Sequence, residues 1–185
     1  MVNSSKNRTK VYFIRHAEKA GDTGQSPLTK KGVKQAKYLA KRMKGKKFEE
    51  FYCSDFHRAK QTASAISKKI KMKPKIVPAL NEFEMELLKT PLKKWPKKDL
   101  QHYNRLMDFL KKVTKNPQKE KRILIVCHGV TNRVILSYFL KLDLKTTAPF
   151  TQKETGINKV YWVEKFKNWR LICWNDSYHL PKRLR

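Results

Sequence analysis

The hydrophobic pattern of this chain alternates between short apolar runs and longer amphipathic segments. Runs rich in β-branched and aromatic residues predict six strands, at residues 11–14, 48–53, 75–77, 123–127, 158–164 and 170–174. The run at 123–127 contains no polar residue, which is typical of a central strand buried on both faces. The amphipathic segments have apolar residues three or four positions apart and predict helices at about 29–44, 54–69, 99–113 and 131–140.

Two of these helices have candidate N-caps. Thr29 is suited to the first helix, and either Ser54 or Asp55 is suited to the second, because short polar side chains accept hydrogen bonds from the first helical turn. The face of the first helix that we expect to be buried consists of Val33, Ala36, Ala40 and Met43.

Strands that alternate with helices predict an α/β fold with a mostly parallel sheet. The last two strands are too close in the chain for a helical crossover, so we expect them to pair antiparallel and make the sheet mixed. The length of 185 residues fits one domain. We assign residues 1–9 to a short basic tail and 10–185 to the domain. Within the domain, we interpret 79–98 as an insertion that covers the functional site.

The formal net charge of +29 changes the list of possible partners. It favours anionic ligands, but the lysines that supply most of it are dispersed along the chain, so we expect no specific nucleic-acid site. No run is apolar enough for a membrane span or a signal peptide, which predicts a cytoplasmic protein. The three cysteines lack metal-binding or disulfide spacing, so we expect buried thiols and neither a metal nor another cofactor.

Candidate chemistry lies where predicted strands end. Arg15 and His16 follow the first strand, Arg58 follows the second, and His128 follows the central strand. Because the carboxyl ends of parallel strands share one edge of a sheet, we expect these side chains to converge there, together with Glu82. The other histidines, His57, His102 and His179, we expect to be structural.

These residue types suit phosphoryl transfer without a metal. An unprotonated imidazole, such as that of His16, can attack phosphorus, and Arg15 and Arg58 offer planar guanidinium groups that match phosphate oxygens. His128 can donate a further hydrogen bond, and Glu82 can protonate the leaving oxygen if its pKa is raised. The amino end of the helix after His128 would add backbone N–H donors to phosphate.

In combination and order, these fragments resemble the histidine phosphatase superfamily, specifically its phosphoglycerate-mutase-like branch. The segments that carry the resemblance are 15–18 (Arg-His-Ala-Glu), 27–32 with 35–36, 54–63, 80–82 and 128–129. The resemblance implies a three-layer α/β/α fold and a phosphohistidine on His16. It also implies a phosphate pocket made by Arg15, Arg58, His128 and Gly129, with Glu82 as the acid and base.

The chain departs from the family pattern at several positions. Ala17 stands where glycine is commonest, and Asp22 stands where many members have asparagine. An anion at position 22 would repel phosphate, so we expect either that this loop differs from the family's or that Asp22 points away, with Thr23 or Gln25 contributing in its place. Glu84 is a second candidate proton donor.

The expected activity is hydrolysis of phosphate monoesters, with a small anionic phosphorylated molecule or a phosphoprotein as substrate. The presence of Glu82 favours esters over phosphohistidine on proteins, whose leaving group needs less help from an acid. A phosphoglycerate mutase is the alternative enzyme, although 185 residues leave little room for segments that keep water out. A basic nucleic-acid-binding or scaffold protein on the same fold is the alternative from another class. The sequence carries no indication of oligomeric state.

Overall fold

Six strands form one mixed sheet in the computed structural model, which describes residues 8–185. The strands are β1 (Thr9–Arg15), β2 (Glu50–Cys53), β3 (Lys75–Ile76), β4 (Lys121–Cys127), β5 (Ile157–Val163) and β6 (Asn168–Asp176). Their order across the sheet is β3-β2-β4-β1-β5-β6. The first four strands run parallel, whereas β5 pairs antiparallel with β1 and with β6, so the mixed and mostly parallel sheet is confirmed.

Four long helices and one short helix complete the fold. They are α1 (Lys30–Met43), α2 (His57–Ile70), α3 (Lys97–Val113), α4 (Gly129–Leu140) and the short α5 (Leu144–Thr147). Helices α3 and α4 begin two residues earlier than predicted, and β2 begins two residues later. Residue 77 lies outside β3 and instead precedes a 3-10 turn at Pro78–Leu80.

The alternation of side chains along the strands divides the core into two layers. Phe13 and Ile125 point to the face covered by α3 and α4, and Ile14 and Leu124 point to the face covered by α1 and α2. All four side chains are fully buried. Helices on both faces of one sheet make the three-layer α/β/α arrangement, as expected.

The predicted details of α1 and α2 need two corrections. Thr29 caps α1 as predicted, because its Oγ1 accepts from the Gly32 amide at 2.9 Å. Val33, however, is 42% exposed, because the buried face is centred nearer Leu39 and Val33 lies at its edge. Neither Ser54 nor Asp55 caps α2: Phe56 occupies the N-cap position and makes no side-chain capping bond.

The segment 79–98 is built from two further short 3-10 turns, at Met85–Lys89 and Leu92–Lys94. Apolar side chains anchor it on the core layer of α3 and α4: Leu80, Phe83, Leu87, Leu88 and Trp95. At the start of the chain, β1 includes Thr9, and residues 1–7 of the predicted tail lie outside the described part. The predicted domain boundaries and the covering role of 79–98 stay predictions.

Two further expectations concern the membrane and the thiols. Among residues 8–185, no helix is long and apolar enough to cross a bilayer. All three cysteines are free; Cys53 and Cys127 are buried and Cys173 is partly buried. Burial raises the pKa of the Cys53 thiol to about 12, so this group is unreactive at neutral pH.

Candidate active site

The carboxyl ends of β1, β2 and β4 meet at one edge of the sheet. The register pairs Arg15 with Cys127 across β1 and β4, so the next residues, His16 and His128, are neighbours. Their ring centroids are 5.1 Å apart at an interplanar angle of 65°. The two histidines that lie 112 positions apart in sequence therefore share one site, as strand-end convergence predicts.

His16 is held as one neutral tautomer. Its Nδ1 lies 2.6 Å from the carbonyl oxygen of Ala17, which can only accept, so Nδ1 carries the hydrogen. The lone pair therefore resides on Nε2, which accepts from Arg58 Nε at 3.1 Å. Burial lowers the pKa of His16 to about 3, opposed by the bond to Ala17 and helped by the nearby arginines. The imidazole is thus unprotonated at neutral pH, the state that a nucleophile requires.

The loop after His16 is fixed against α1. Glu18 accepts from Thr29 Oγ1 at 2.7 Å, and its amide donates to Gln35 Oε1 at 2.9 Å. Gly32 makes this approach possible, because a Cβ there would lie 2.1 Å from the Glu18 carbonyl oxygen. The helix that the sequence pattern predicts at this position therefore also positions the nucleophile.

Helix α2 fixes the other side of the same loop and supplies Arg58. Thr62 Oγ1 accepts from the Ala17 amide at 3.1 Å and donates to the Arg58 carbonyl at 2.8 Å. The Arg58 guanidinium stacks over the Phe56 ring, 4.7 Å from its centroid, and its Nη1 donates to the Thr23 carbonyl at 2.8 Å. Arg58 is therefore oriented on both sides and directs its Nε at His16.

Arg15 is held from the segment that precedes β5. Its Nη1 donates to the Gln152 carbonyl, and its Nη2 forms an ion pair with Glu154 Oε1 at 3.1 Å. The Arg15 Nε is buried and has no hydrogen-bond partner among the described residues. Gly129 lies beside it, with a position for Cβ 3.6 Å from this Nε. A buried donor without an acceptor is costly, which makes this atom a candidate ligand contact.

His128 has the opposite tautomer to His16. Ser54 Oγ donates its one hydrogen to Asn81 Oδ1 at 2.8 Å, and Oγ also lies 2.7 Å from His128 Nε2. Because that hydrogen is already used, Nε2 must be the donor, and the lone pair of the neutral ring is on Nδ1. This buried Nδ1 has no hydrogen-bond partner within residues 8–185. Burial, followed by the charges of His16 and the arginines, holds the pKa of His128 well below its usual value.

Glu82 lies between His128 and the first turn of α4. Its Oε1 accepts from the amides of Val130 and Thr131 at 3.0 and 3.1 Å, and its Oε2 lies 3.9 Å from His128 Nδ1. Burial raises the pKa of this carboxyl, although the two backbone bonds and the arginines oppose the shift. The use of the α4 amino end for phosphate stays a prediction, and two of its N–H groups already donate to the carboxylate of Glu82.

The structure shows where the side chain of Asp22, one departure from the family pattern, points, and where the alternatives to Asp22 and Glu82 lie. Asp22 points into solvent, with 96% of its side chain exposed, and pairs with Lys19. Its expected outward orientation is confirmed. The side chain of Thr23 bonds to Ser26, so only its carbonyl contacts Arg58, and Gln25 is exposed. Glu84 is exposed as well, so Glu82 is the carboxylate that faces the histidines.

The side-chain atoms of His16, Glu82 and His128 that could bind a metal all lie within 4.8 Å of one another. Spacing alone would therefore allow an ion. The Nε2 lone pair of His16, however, already accepts from a guanidinium, and both arginines act electrostatically on the histidines. This positive surrounding disfavours a divalent cation and favours an anion.

The remaining histidines make contacts outside this cluster. His102 stacks on Phe83 with centroids 4.1 Å apart, and His179 lies 3.0 Å from Thr155 Oγ1. His57 is exposed. These contacts agree with the structural roles that we expected.

Sequence analysis gave no role in the site to several groups that hold it: Ser54, Thr62, Asn81, Gln152 and Glu154. The first three lie within segments 54–63 and 80–82, which carry the family resemblance. Ser54 also follows β2 as His128 follows β4, and Thr62 lies one helical turn after Arg58. Gln152 and Glu154 had no such indication, since they lie in an irregular segment without periodicity.

This chain is similar to a protein-family model and to several solved structures. A family model for the histidine phosphatase superfamily, branch 1, matches residues 11–102 and 93–177. Similar solved structures include a phosphoserine phosphatase mutant from Entamoeba histolytica in complex with phosphoserine, with 22% identity and a TM-score of 0.73 over 94% of this chain and 100% of that one.

Two other similar structures come from bacteria. A putative alpha-ribazole-5'-P phosphatase from Escherichia coli has 18% identity and a TM-score of 0.74, covering 91% of this chain and 97% of that one. A mycobacterial glucosyl-3-phosphoglycerate phosphatase has 17% identity and a TM-score of 0.71, covering 93% and 100%. A search of curated protein sequences found no match. These likenesses show the fold, and the family model, which matches most of the sequence, shows that the chain belongs to branch 1 of the histidine phosphatase superfamily.

Proposed function

We propose that this chain is a metal-independent phosphatase that hydrolyses phosphate monoesters through a phosphohistidine on His16. The observation that carries the proposal is the neutral, buried imidazole of His16, whose Nε2 lone pair is held beside Arg58. Near this nucleophile are two buried polar atoms without partners in residues 8–185, Arg15 Nε and His128 Nδ1. A bound phosphate would accept from Arg15 Nε directly and from His128 Nδ1 once that nitrogen is protonated, which is why an oxyanion fits this cluster better than a neutral ligand.

In the first step, His16 Nε2 attacks phosphorus and the ester P–O bond breaks. Arg58 Nε, which now donates to Nε2, transfers its hydrogen bond to a phosphate oxygen as the lone pair is used. The leaving alkoxide takes the proton of the Glu82 carboxyl, whose raised pKa favours the protonated form. The products of this step are a neutral alcohol and phosphohistidine.

In the second step, water attacks the phosphohistidine. The carboxylate of Glu82 takes a proton from the water as its oxygen bonds to phosphorus, and the N–P bond breaks. Inorganic phosphate leaves, and His16 returns to the neutral tautomer with hydrogen on Nδ1. Glu82 is protonated again, so the cycle is closed without a metal or any other cofactor.

His128 stabilises the phosphate in both steps. Its Nε2–H is committed to Ser54, so a proton that arrives with the substrate binds at Nδ1, donates to a phosphate oxygen, and departs with inorganic phosphate at the end of the cycle. The charge of a phosphate dianion favours this imidazolium, against the burial that otherwise keeps the ring neutral. Together with Arg15 and Arg58, it supplies the positive charge that a metal ion supplies in other phosphoryl-transfer enzymes.

The substrate belongs, in this proposal, to small anionic phosphorylated molecules. The similar structures include enzymes named for phosphoserine, glucosyl-3-phosphoglycerate and alpha-ribazole phosphate, which supports this class without selecting a member. The free cysteines support a reducing, cytoplasmic location. A phosphoprotein substrate and phosphoryl transfer between phosphoglycerates are alternative outcomes for the same nucleophile.

The experiment that tests the mechanism is hydrolysis of p-nitrophenyl phosphate with and without EDTA, in the wild type and in His16→Ala. We expect activity that survives chelation and disappears in the variant. Rapid alkaline quench after incubation with a ³²P-labelled substrate should trap an acid-labile, alkali-stable phosphoenzyme. Activity that EDTA abolishes, or that His16→Ala retains, would refute the proposal. The role of Glu82 as acid and base is tested with Glu82→Gln, and Glu84→Gln, which changes an exposed carboxylate nearby, is its matched control.

A further inference from the structure

One charged group beside the site has no role in the proposed reaction. Glu154 forms an ion pair with Arg15 at 3.1 Å, and the two side chains are 29% and 26% exposed, so both reach solvent. The ion pair is made through Oε1 of Glu154, so the second carboxylate oxygen, Oε2, is not the atom that contacts Arg15. The pair therefore lies at the mouth of the site with one anionic oxygen still available.

The segment that carries Glu154 is rigidly attached to the site. The Thr155 amide donates to the His16 carbonyl at 3.3 Å, and the Lys153 amide donates to Asn175 Oδ1 at 2.8 Å. A Cβ at Gly156 would lie 2.4 Å from that same Oδ1, so the close packing requires glycine. Glu154 is consequently a fixed part of the mouth and not a mobile surface carboxylate.

A carboxylate at this position is unfavourable for a substrate that carries only negative charge. Arg15 would be shared between the phosphate and Glu154, which weakens the attraction for a simple phosphate. The other acidic groups nearby are already engaged, Glu82 by the amino end of α4 and Asp22 by Lys19. On a chain with a net charge of +29, Glu154 is therefore the group in this region that would attract a cation.

We propose that Glu154 binds an ammonium group of the substrate, so that the favoured substrates are phosphate monoesters with an amino group close to the ester. The proposal rests on the proposed phosphatase function and names its substrate class. The Arg15 guanidinium lies between the expected phosphate position, at its Nε, and the Glu154 carboxylate, at its Nη2. The spacer between the ester oxygen and the amine of the substrate would therefore be only two or three atoms long. When phosphate binds Arg15, the substrate ammonium pairs with Glu154 in place of the guanidinium.

Phosphoserine and 3-phosphoglycerate test this inference directly, because they share a carbon skeleton, a carboxylate and a phosphoester. They differ in that the ammonium of the first is a hydroxyl in the second. We expect wild-type kcat/KM to be about tenfold higher for phosphoserine, the discrimination that one charged hydrogen bond typically supplies. Glu154→Gln should bring the ratio close to one, mainly by raising KM for phosphoserine.

The matched control is Glu120→Gln. Glu120 is also exposed and faces an arginine, with 3.9 Å between its Oε1 and Arg122 Nη2, but it lies before β4 at the opposite edge of the sheet. It should leave the ratio unchanged. An equal preference in the wild type, or a ratio that survives Glu154→Gln, would overturn the inference.

Three results separate the inference from the proposed function. If Glu154→Gln improves both substrates equally, the carboxylate only competes with phosphate for Arg15, and the ammonium site is wrong. If the wild type hydrolyses neither compound nor p-nitrophenyl phosphate, the phosphatase function itself fails. Hydrolysis of all three by the wild type without discrimination removes the ammonium site alone.

Discussion

Lowering the pH from 7 to 5 should destabilise the folded protein through His16. Burial lowers the pKa of this imidazole to about 3 in the folded state, against an ordinary value of 6.5. The unfolded chain therefore binds a proton that the folded chain does not. The stabilisation is present above pH 6.5 and is lost as the pH falls towards 3, and linkage gives a loss of about 2 kcal/mol between pH 7 and 5.

Urea unfolding at the two pH values measures this loss in the wild type and in His16→Asn. Asparagine cannot take up a proton, so the loss of unfolding free energy between pH 7 and 5 should be about 2 kcal/mol smaller in the variant. The comparison uses the change with pH within each protein, so a difference in absolute stability does not affect it. The exposed His57 provides the control, because His57→Asn should reproduce the wild-type loss.

Nitrogen NMR of the folded protein gives an independent measurement. At pH 5 the His16 ring should remain neutral with hydrogen on Nδ1, because the Ala17 carbonyl accepts from that atom. Titration of His16 near pH 6.5, or equal loss of stability in wild type and His16→Asn, would refute the reasoning. A neutral ring at pH 5 also means that the nucleophile stays active in mildly acidic solution.

Three further predictions follow from single contacts. Glu82→Gln should lower kcat for alkyl phosphates about 100-fold and abolish the decline in rate as the pH rises through the raised pKa of Glu82, with a smaller effect on p-nitrophenyl phosphate, whose leaving group needs no proton. Ser54→Ala should lower kcat and reduce the free energy of unfolding by about 1–3 kcal/mol, because His128 Nε2–H loses its acceptor; unchanged values of both in kinetics and urea titration would contradict the tautomer. Gly32→Ala should cost about 3 kcal/mol or more in a thermal melt, because its Cβ would lie 2.1 Å from the Glu18 carbonyl oxygen.

The location of the site could be predicted because hydrophobic periodicity reports burial. The uninterrupted apolar run before His128 indicates a central parallel strand, and the carboxyl ends of neighbouring parallel strands share one edge of the sheet. The structure confirms this arrangement, with β4 between β1 and β2. The same pattern cannot rank residues at the edge of a buried face, which is why Val33 was expected inside and lies 42% exposed.

Groups on irregular segments could not be predicted in this way. Gln152 and Glu154 contact Arg15 from an irregular segment that has neither hydrophobic periodicity nor a motif. The segment is held in place by Asn175 of β6, which accepts from the amide of Lys153. For the amino end of α4, the sequence predicts that its N–H groups attract an anion but does not predict which anion binds them. A carboxylate in the same chain, Glu82, competes with phosphate for those N–H groups at high effective concentration.

The positions of protons are the feature of the site that is hardest to predict from the sequence. His16 and His128 are both buried histidines after parallel strands, yet the first holds its hydrogen on Nδ1 and the second on Nε2. The difference arises from one backbone carbonyl beside His16 and from Asn81, which uses the hydrogen of Ser54. Because these acceptors direct the Nε2 lone pair of one ring at the nucleophilic position and leave Nδ1 of the other free for a proton, the neighbours of the two histidines determine which histidine attacks and which donates.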